Sequence, residues 1–96
     1  MRLTPEQATI IKKASQQIYG AGTEVFLFGS RVDESLKGGD IDLYVVPESN
    51  NSELQQRLQL HAVLQQQLGE QSIDIIIATD PTRLIEQQAI ATGVKL

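Results

Sequence analysis

Two aspartates two positions apart are the first residues in this sequence whose types and spacing suggest chemistry. Asp40 and Asp42 open a segment that alternates polar and apolar residues, becomes wholly apolar and stops at Pro47, which predicts a β-strand. Residues i and i+2 of a strand project from the same face, so we expect the two carboxylates to lie side by side. Acids clustered among Ile, Leu and Val are costly to bury uncompensated, and a divalent cation such as Mg²⁺ or Mn²⁺ is one of the few compensations.

A third aspartate and a Gly-Ser pair extend this candidate site. Asp74 holds the leading position of another apolar run, 72–78, where it is either a further metal ligand or a solvated residue at a strand end. Gly29-Ser30 stops a short β-prone run, and its backbone N–H groups and hydroxyl could bind phosphate oxygens, although many such pairs are routine turns. The combination is more specific than its parts: strand, Gly-Ser, nine residues, Asp-x-Asp and a third strand-borne Asp.

The elements that must position these residues follow from apolar spacing and from capping signals. The predicted order is helix, strand, loop, strand, helix, strand, helix, with no internal repeat. Thr4-Pro5-Glu6 is typical of a helix N-terminus. The first predicted helix ends at 20–22, the second spans about 53–68 and the third spans about 79–91. The predicted strands span 24–28, 40–46 and 72–78. A leucine stripe on the second helix predicts a core face, with a partner surface as the alternative; it contains Leu54, Leu58, Leu64 and Leu68 and is widened by Leu60 and Val63.

The composition of the chain excludes several kinds of site and partner. The 96 residues suffice for one domain over 1–96, and the absence of cysteine excludes disulfides and thiolate metal sites. The net charge of −4 and the lack of a basic cluster argue against binding long nucleic acid, whereas a nucleotide held through a metal ion remains compatible. No apolar run approaches the roughly 20 residues that span a bilayer, so we expect a cytoplasmic protein without membrane contact.

The motif residues also carry a family resemblance. Leu27-Phe28-Gly29-Ser30-Arg31 followed by Gly38-Gly39-Asp40-Ile41-Asp42-Leu43 resembles the signature of the minimal nucleotidyltransferases, members of the polymerase-β-like nucleotidyltransferase superfamily. The resemblance implies an α/β fold, a small mixed sheet flanked by helices, that covers nearly the whole chain. It implies two Mg²⁺ ions held by Asp40 and Asp42, with Asp74 completing one site and Gly29-Ser30 binding the nucleotide phosphates.

Several neighbouring residues leave alternatives open. Arg31 stands where the family has a phosphate-binding arginine, but it could equally pair with Asp33 or Glu34 at the surface. His61 is an isolated helical histidine with no evident partner, and Tyr44 is interpreted as structural. The loop departs from the commoner family pattern at 33–35 and at Gly39, which bears on the nucleotide contacts and not on the acids.

The resemblance implies a catalytic function that needs a second protein. We expect transfer of a nucleoside monophosphate, AMP from ATP or another nucleotide, to a hydroxyl acceptor. Minimal nucleotidyltransferases are often encoded beside the gene for a small helical HEPN-type protein, and some act as antitoxins that add AMP to a tyrosine of that partner. We expect the acceptor to come from such a partner, because this short chain leaves no recognisable segment for it. The alternative is a non-catalytic antitoxin that neutralises its partner by occlusion. A nucleic-acid polymerase is disfavoured because the chain is acidic and lacks a strand-gripping region.

Overall fold

The computed structural model describes residues 3–28, 40–48, 54–69, 72–79 and 82–96, and the side chain of Asp40 lies outside this description. The elements in chain order are α1 (Pro5–Tyr19), β1 (Glu24–Phe28), β2 (Asp40–Val46), α2 (Leu54–Leu68), β3 (Ser72–Ile77), α3 (Leu84–Thr92) and β4 (Val94–Lys95). The predicted sequence of helices and strands is confirmed, with β4 as an addition. None of the helices in the described ranges is long and apolar enough to span a membrane.

The four strands form one mixed sheet in the order β3-β2-β1-β4. β1 pairs antiparallel with both β2 and β4, whereas β2 and β3 run parallel and are connected through α2. The pairing of β2 with β3 continues beyond the strand end, because the Ala78 backbone N–H donates to the Val45 carbonyl oxygen at 2.8 Å. The predicted small mixed sheet flanked by helices is therefore present.

The first helix begins and ends where the sequence predicts. Thr4 Oγ1 accepts from the Gln7 backbone N–H, and the Gln7 side chain accepts from the Thr4 backbone N–H, both at 3.1 Å, which forms a capping box. Gly20 ends the helix at φ +120°, a conformation that side chains rarely adopt, and a Cβ there would collide with Glu48.

The two faces of the sheet have different coverage. α1 and α2 pack on one face, where the main core contains Ile11, Leu27, Leu43, Leu60 and Leu64, all fully buried. The opposite face carries a smaller cluster built from Phe28, Tyr44 and Ala89 of α3, with Phe26, Val46, Ile76 and Ala78 packed around them. Burial on the α1 and α2 face supplies most of the hydrophobic stabilisation, while the described residues cover the other face only partly.

The leucine stripe of α2 is only partly a core face. Leu60 and Leu64 are fully buried, but Leu54 and Leu58 are 62% and 56% exposed. The prediction that Leu54 and Leu58 belong to the core is therefore wrong. Apolar periodicity identifies the apolar side of a helix, but it does not reveal how far the sheet beneath that side extends.

A buried carboxylate attaches α3 to the sheet. The side chain of Glu86 is fully buried, and its Oε1 accepts from the Tyr44 hydroxyl at 3.0 Å and from the Thr79 backbone N–H at 3.1 Å. Its Oε2 accepts from the Thr79 hydroxyl at 3.3 Å and from Arg83 Nε at 3.1 Å. A buried charge is tolerated when it is paired and hydrogen-bonded in this way, so the network fixes the position of α3 over Tyr44.

Boundaries towards the C-terminal end of the chain differ from the sequence prediction. β3 ends at Ile77, one residue early, and α3 begins at Leu84 rather than near Thr79, with Arg83 at its N-cap and no side-chain cap. Thr79 instead hydrogen-bonds to Glu86 in the first turn of α3. The chain then continues past Gly93 into β4, where the Leu96 backbone N–H donates to the Val25 carbonyl oxygen at 2.9 Å. A two-residue strand is too short to show a period in the sequence.

Leu60→Ala should lower the free energy of unfolding by about 2–5 kcal/mol, because the truncation leaves a cavity beneath α2. The matched change Leu58→Ala, two residues away on α2 but exposed, should alter it by less than about 0.5 kcal/mol. Urea unfolding followed by circular dichroism measures both values. Equal losses for the two variants would contradict the assignment of these leucines to core and surface.

Tyr44→Phe should change how stability depends on high pH. Burial and the hydrogen bond to Glu86 raise the pKa of Tyr44 from 10.0 to about 12. Between these values the native state keeps a proton that the unfolded state has lost, so the stability from this group is present below pH 10 and disappears as pH rises towards 12. The phenol contributes roughly 2–3 kcal/mol to this fall. Unfolding free energies measured across that window should fall less steeply for Tyr44→Phe, and parallel curves would contradict the assignment.

Candidate active site

Two of the predicted acids lie side by side on neighbouring strands. Asp42 of β2 and Asp74 of β3 are direct partners in the parallel register. Partners in register project from the same face of a sheet, and adjacent strands are about 4.8 Å apart, so both carboxylates occupy one small patch. Asp42 is half-buried and Asp74 is exposed. The structure therefore brings together residues that are distant in the sequence.

These acids share their sheet face with α3. Tyr44 and Ile76 follow Asp42 and Asp74 by two residues on the same strands, so they project from the same face, and they pack in the cluster beneath α3. The face is thus divided along the strands into an acidic half and an apolar half. Since Glu86 holds α3 against Tyr44, the same network sets where the apolar half ends and the acids begin.

A cleft of about 580 Å³ opens beside the two acids and extends around the outer edge of β3. Asp42, Asp74 and Phe28 line it at one end. Arg57, Leu58 and His61 of α2 line one wall, and Ile85 and Gln88 of α3 line the other. The cleft combines carboxylates with cationic and apolar side chains, which is typical of a site for a charged organic ligand.

The cleft contains residues that the sequence did not identify. The sequence predicts no partner for His61, yet His61 lines the same cleft as Asp42 and Asp74, and Arg57 lies one helical turn before it. His61 follows Arg57 by four residues and Leu58 by three, so all three lie on one face of α2. This spacing is the signal in the sequence that could have identified them. Glu86 carries no such signal, because its partner Tyr44 is 42 residues away.

The remaining predicted site residues lie largely outside the described part of the chain. Gly29, Ser30 and Arg31 are not among the described residues, so their predicted phosphate contacts stay predictions. Asp40 is the first residue of β2 and pairs in register with Ser72, but nothing is described of its side chain. Phe28 is opposite Asp42 in the antiparallel register, so β1 ends next to the acids.

The paired acids fit a magnesium ion in the chemistry of their donors. Mg²⁺ prefers hard oxygen ligands and is commonly held by one or two carboxylates together with substrate phosphates. Asp42 and Asp74 supply two carboxylates on one face beside an open cleft. Within the described ranges no group of three or more His, Asp or Glu side chains could hold a metal, so a third protein ligand would come from outside them.

Comparisons with known proteins agree with this arrangement. The family "Polymerase beta, Nucleotidyltransferase" matches residues 9–96. Among solved structures, a mutant of the toxin–antitoxin complex MntA–HpeT contains a chain with the same fold, at a TM-score of 0.69 and 22% identity, over 97% of this chain and 71% of that one. No curated protein matches the sequence. Because the family match covers almost the whole sequence, this chain belongs to the polymerase beta nucleotidyltransferase family.

Proposed function

We propose that this protein transfers a nucleoside monophosphate, AMP from ATP, to a hydroxyl group on a partner protein. The observation that carries the proposal is the direct register of Asp42 and Asp74 beside an open cleft, in a chain of the nucleotidyltransferase family. Paired carboxylates next to a cleft provide a place for a metal-bound triphosphate and for an acceptor. We extend the proposal to residues 1–96 as one minimal nucleotidyltransferase domain that acts in the cytoplasm, where nucleoside triphosphates are abundant.

The residues have distinct roles in this reaction. Asp40, Asp42 and Asp74 would hold two Mg²⁺ ions, or Mn²⁺ in their place, and Gly29, Ser30 and Arg31 would bind the phosphates. When bound, the metal supplies charge neutralisation for the triphosphate and lowers the pKa of the acceptor hydroxyl. The hydroxyl oxygen forms a bond to the α-phosphorus, the bond from that phosphorus to the bridging oxygen breaks, and pyrophosphate leaves with the electron pair.

Asp74 is the acid best placed for the acceptor side. Its side chain is exposed at the cleft, whereas Asp42 is half-buried between Phe28 and Asp74 in the register. The hydroxyl proton is released to solvent or accepted by Asp74, since a carboxylate within hydrogen-bond reach can act as base. Positioning and charge neutralisation dominate catalysis of phosphoryl transfer, so this small set of groups is sufficient on the protein side.

A protein partner is supported by two observations. The similar solved structure is that of the toxin–antitoxin pair MntA–HpeT, which supports a toxin as the acceptor. That this toxin is of the HEPN type is what the family resemblance implies. The cleft also has exposed apolar side chains, Leu58 and Ile85, that a small nucleotide would leave in water. Contiguous exposed apolar surface is typical of a protein interaction site.

The same apolar side chains favour a second candidate function. A protein that binds its partner tightly could neutralise it by occlusion, without transferring any group. This candidate needs only the walls of the cleft, whereas transfer needs the acids, so a substitution that changes the acids alone separates the two.

Asp42→Asn should lower transfer of label from α-labelled ATP to the partner by at least about 100-fold, because the amide cannot provide the anionic ligand. Asp40→Asn should have the same effect. The measurement uses purified protein, Mg²⁺ and the product of the neighbouring gene. Glu6→Gln, the same chemical change at an exposed position on α1, is the matched control and should retain full transfer. Full transfer by Asp42→Asn would rule out the proposed site, and a tight unlabelled complex with both proteins would favour occlusion.

Mn²⁺ provides a test of the metal site that does not depend on activity. Added Mn²⁺ should broaden the backbone amide signals of Asp42 and Asp74 in ¹H–¹⁵N NMR spectra more strongly than those of α1, because paramagnetic broadening falls steeply with distance. Asp74→Asn should weaken this effect, since Mn²⁺ favours carboxylate oxygen over amide ligands. Uniform broadening across the chain, unchanged in Asp74→Asn, would mean that the acids do not form a metal site.

A further inference from the structure

The outer edge of β3 has no partner strand within the described part of the chain, because β3 is the first strand of the sheet. The Ala78 N–H points inward to Val45, and backbone direction alternates along a strand. The N–H and C=O groups of Ile73, Ile75 and Ile77 therefore point outward. Such an edge offers a ready template for pairing with another chain.

A continuous groove follows this edge. The cleft beside the acids and a second cavity of about 250 Å³ share Arg57, Ile75 and Ile76 in their linings. Together they extend along β3 and past its end, from Ile73 to Thr79, and we refer to them as the edge groove. At about 3.3 Å per residue, the six residues of β3 give a length of roughly 20 Å, enough for an extended segment of similar length.

The walls of the edge groove are apolar on both sides. Leu54 and Leu58 of α2 are 62% and 56% exposed, and Ile85 of α3 is 38% exposed. They flank β3 on opposite faces of the sheet. An extended segment projects alternate side chains to the two faces, so its apolar residues could contact α2 on one side and α3 on the other. A helix would use only one of its faces and would leave the backbone groups of β3 unpaired.

The charges of the edge groove differ from those of the whole chain. The net charge is −4, yet Arg57 and Arg83 line the groove, and among its described lining residues the only carboxylates are Asp42 and Asp74 at one end. Arg83 also contacts Glu86, and its side chain is 47% exposed. A second copy of this chain would place identical cations against each other, whereas an acidic segment complements them.

We propose that the edge groove binds an extended segment of the partner protein, with apolar and acidic residues, by adding it as a strand beside β3. Residues opposite each other on adjacent strands have side chains about 5 Å apart on the same face. A hydroxyl residue opposite Asp74 would therefore lie at the acidic patch, while the rest of the segment contacts Leu58, Ile85 and Arg57. The identification of that hydroxyl as the acceptor rests on the proposed function.

Synthetic peptides test the strand addition directly. The probe is a fluorescein-labelled eight-residue peptide with one central serine, threonine or tyrosine. Valines occupy both faces of the extended segment, and two glutamates lie on the face opposite the hydroxyl, towards Arg57. Binding is followed by fluorescence anisotropy. We expect saturable binding, weakened at least about 10-fold when lysine replaces glutamate. Two N-methylated peptides are compared, one methylated at the odd-numbered backbone nitrogens and one at the even-numbered ones. One of them should lose binding and the other should keep it, because only one edge of the peptide pairs with β3.

Variants of the protein locate the peptide. Leu58→Asp and Arg57→Glu should each weaken binding at least about 10-fold, because they place a negative charge against the glutamates. Ile90→Asp and Lys12→Glu, the same changes at exposed positions away from the groove, are the matched controls and should bind as the wild type does. Circular dichroism checks that each variant is folded.

Three outcomes would overturn the proposal: no saturable binding below about 1 mM peptide, equal binding of the two N-methylated peptides, or binding unaffected by Leu58→Asp and Arg57→Glu. A dimer in analytical ultracentrifugation that Leu58→Asp dissociates would assign the groove to a second copy instead. Peptide binding by the wild-type protein without transfer from Mg²⁺–ATP to the peptide hydroxyl would contradict the proposed function and leave the edge groove intact.

Discussion

The register between β2 and β3 is the constraint on which the rest of this structure depends. It places Asp42 directly beside Asp74, and the same pairing places Ile41 beside Ile73 and Leu43 beside Ile75 on the opposite face. A slip of one residue would turn the acids into the core and the core residues into the cleft. Apolar burial against α1 and α2 therefore specifies the geometry of the charged patch, and two like charges can be held together because the core resists any other alignment.

The main hydrophobic core and the acidic residues lie on opposite faces of one sheet. One face is covered by two helices, and the other is shared between α3 and the acids. The cost of this division is that the described residues cover the sheet incompletely, with an open edge at β3 and exposed leucines on α2. In the proposed reaction, this poorly covered surface is also the surface that an acceptor would contact.

Much of this architecture could be predicted from the sequence, and the failures have physical reasons. The bounds of β1 and β2 match their prediction, because alternation and abrupt stops at Gly29 and Pro47 are local signals. The cleft roles of Arg57 and His61 depend on which strand lies beneath α2, and the exposure of Leu58 depends on where the sheet ends. Those facts are set by strand order, which no local pattern contains. The residue pattern leaves Asp74 as either a metal ligand or a solvated residue, and the family resemblance favours the ligand. The register of β2 and β3 then supplies the geometry.

The hydrogen-bonded Glu86 has a consequence for the dynamics of α3. Only Glu86 and Ala89 of this helix are buried, so apolar packing holds it weakly and the charge network carries much of its attachment. The hydrogen bonds to the buried Glu86 carboxylate should break together, because a buried carboxylate that keeps only some of its partners is unfavourable. Local unfolding in native proteins follows such cooperative units. Amide hydrogen exchange of α3 should accordingly occur as one event, faster than that of β2, and each opening would uncover the remainder of the face that carries the acids.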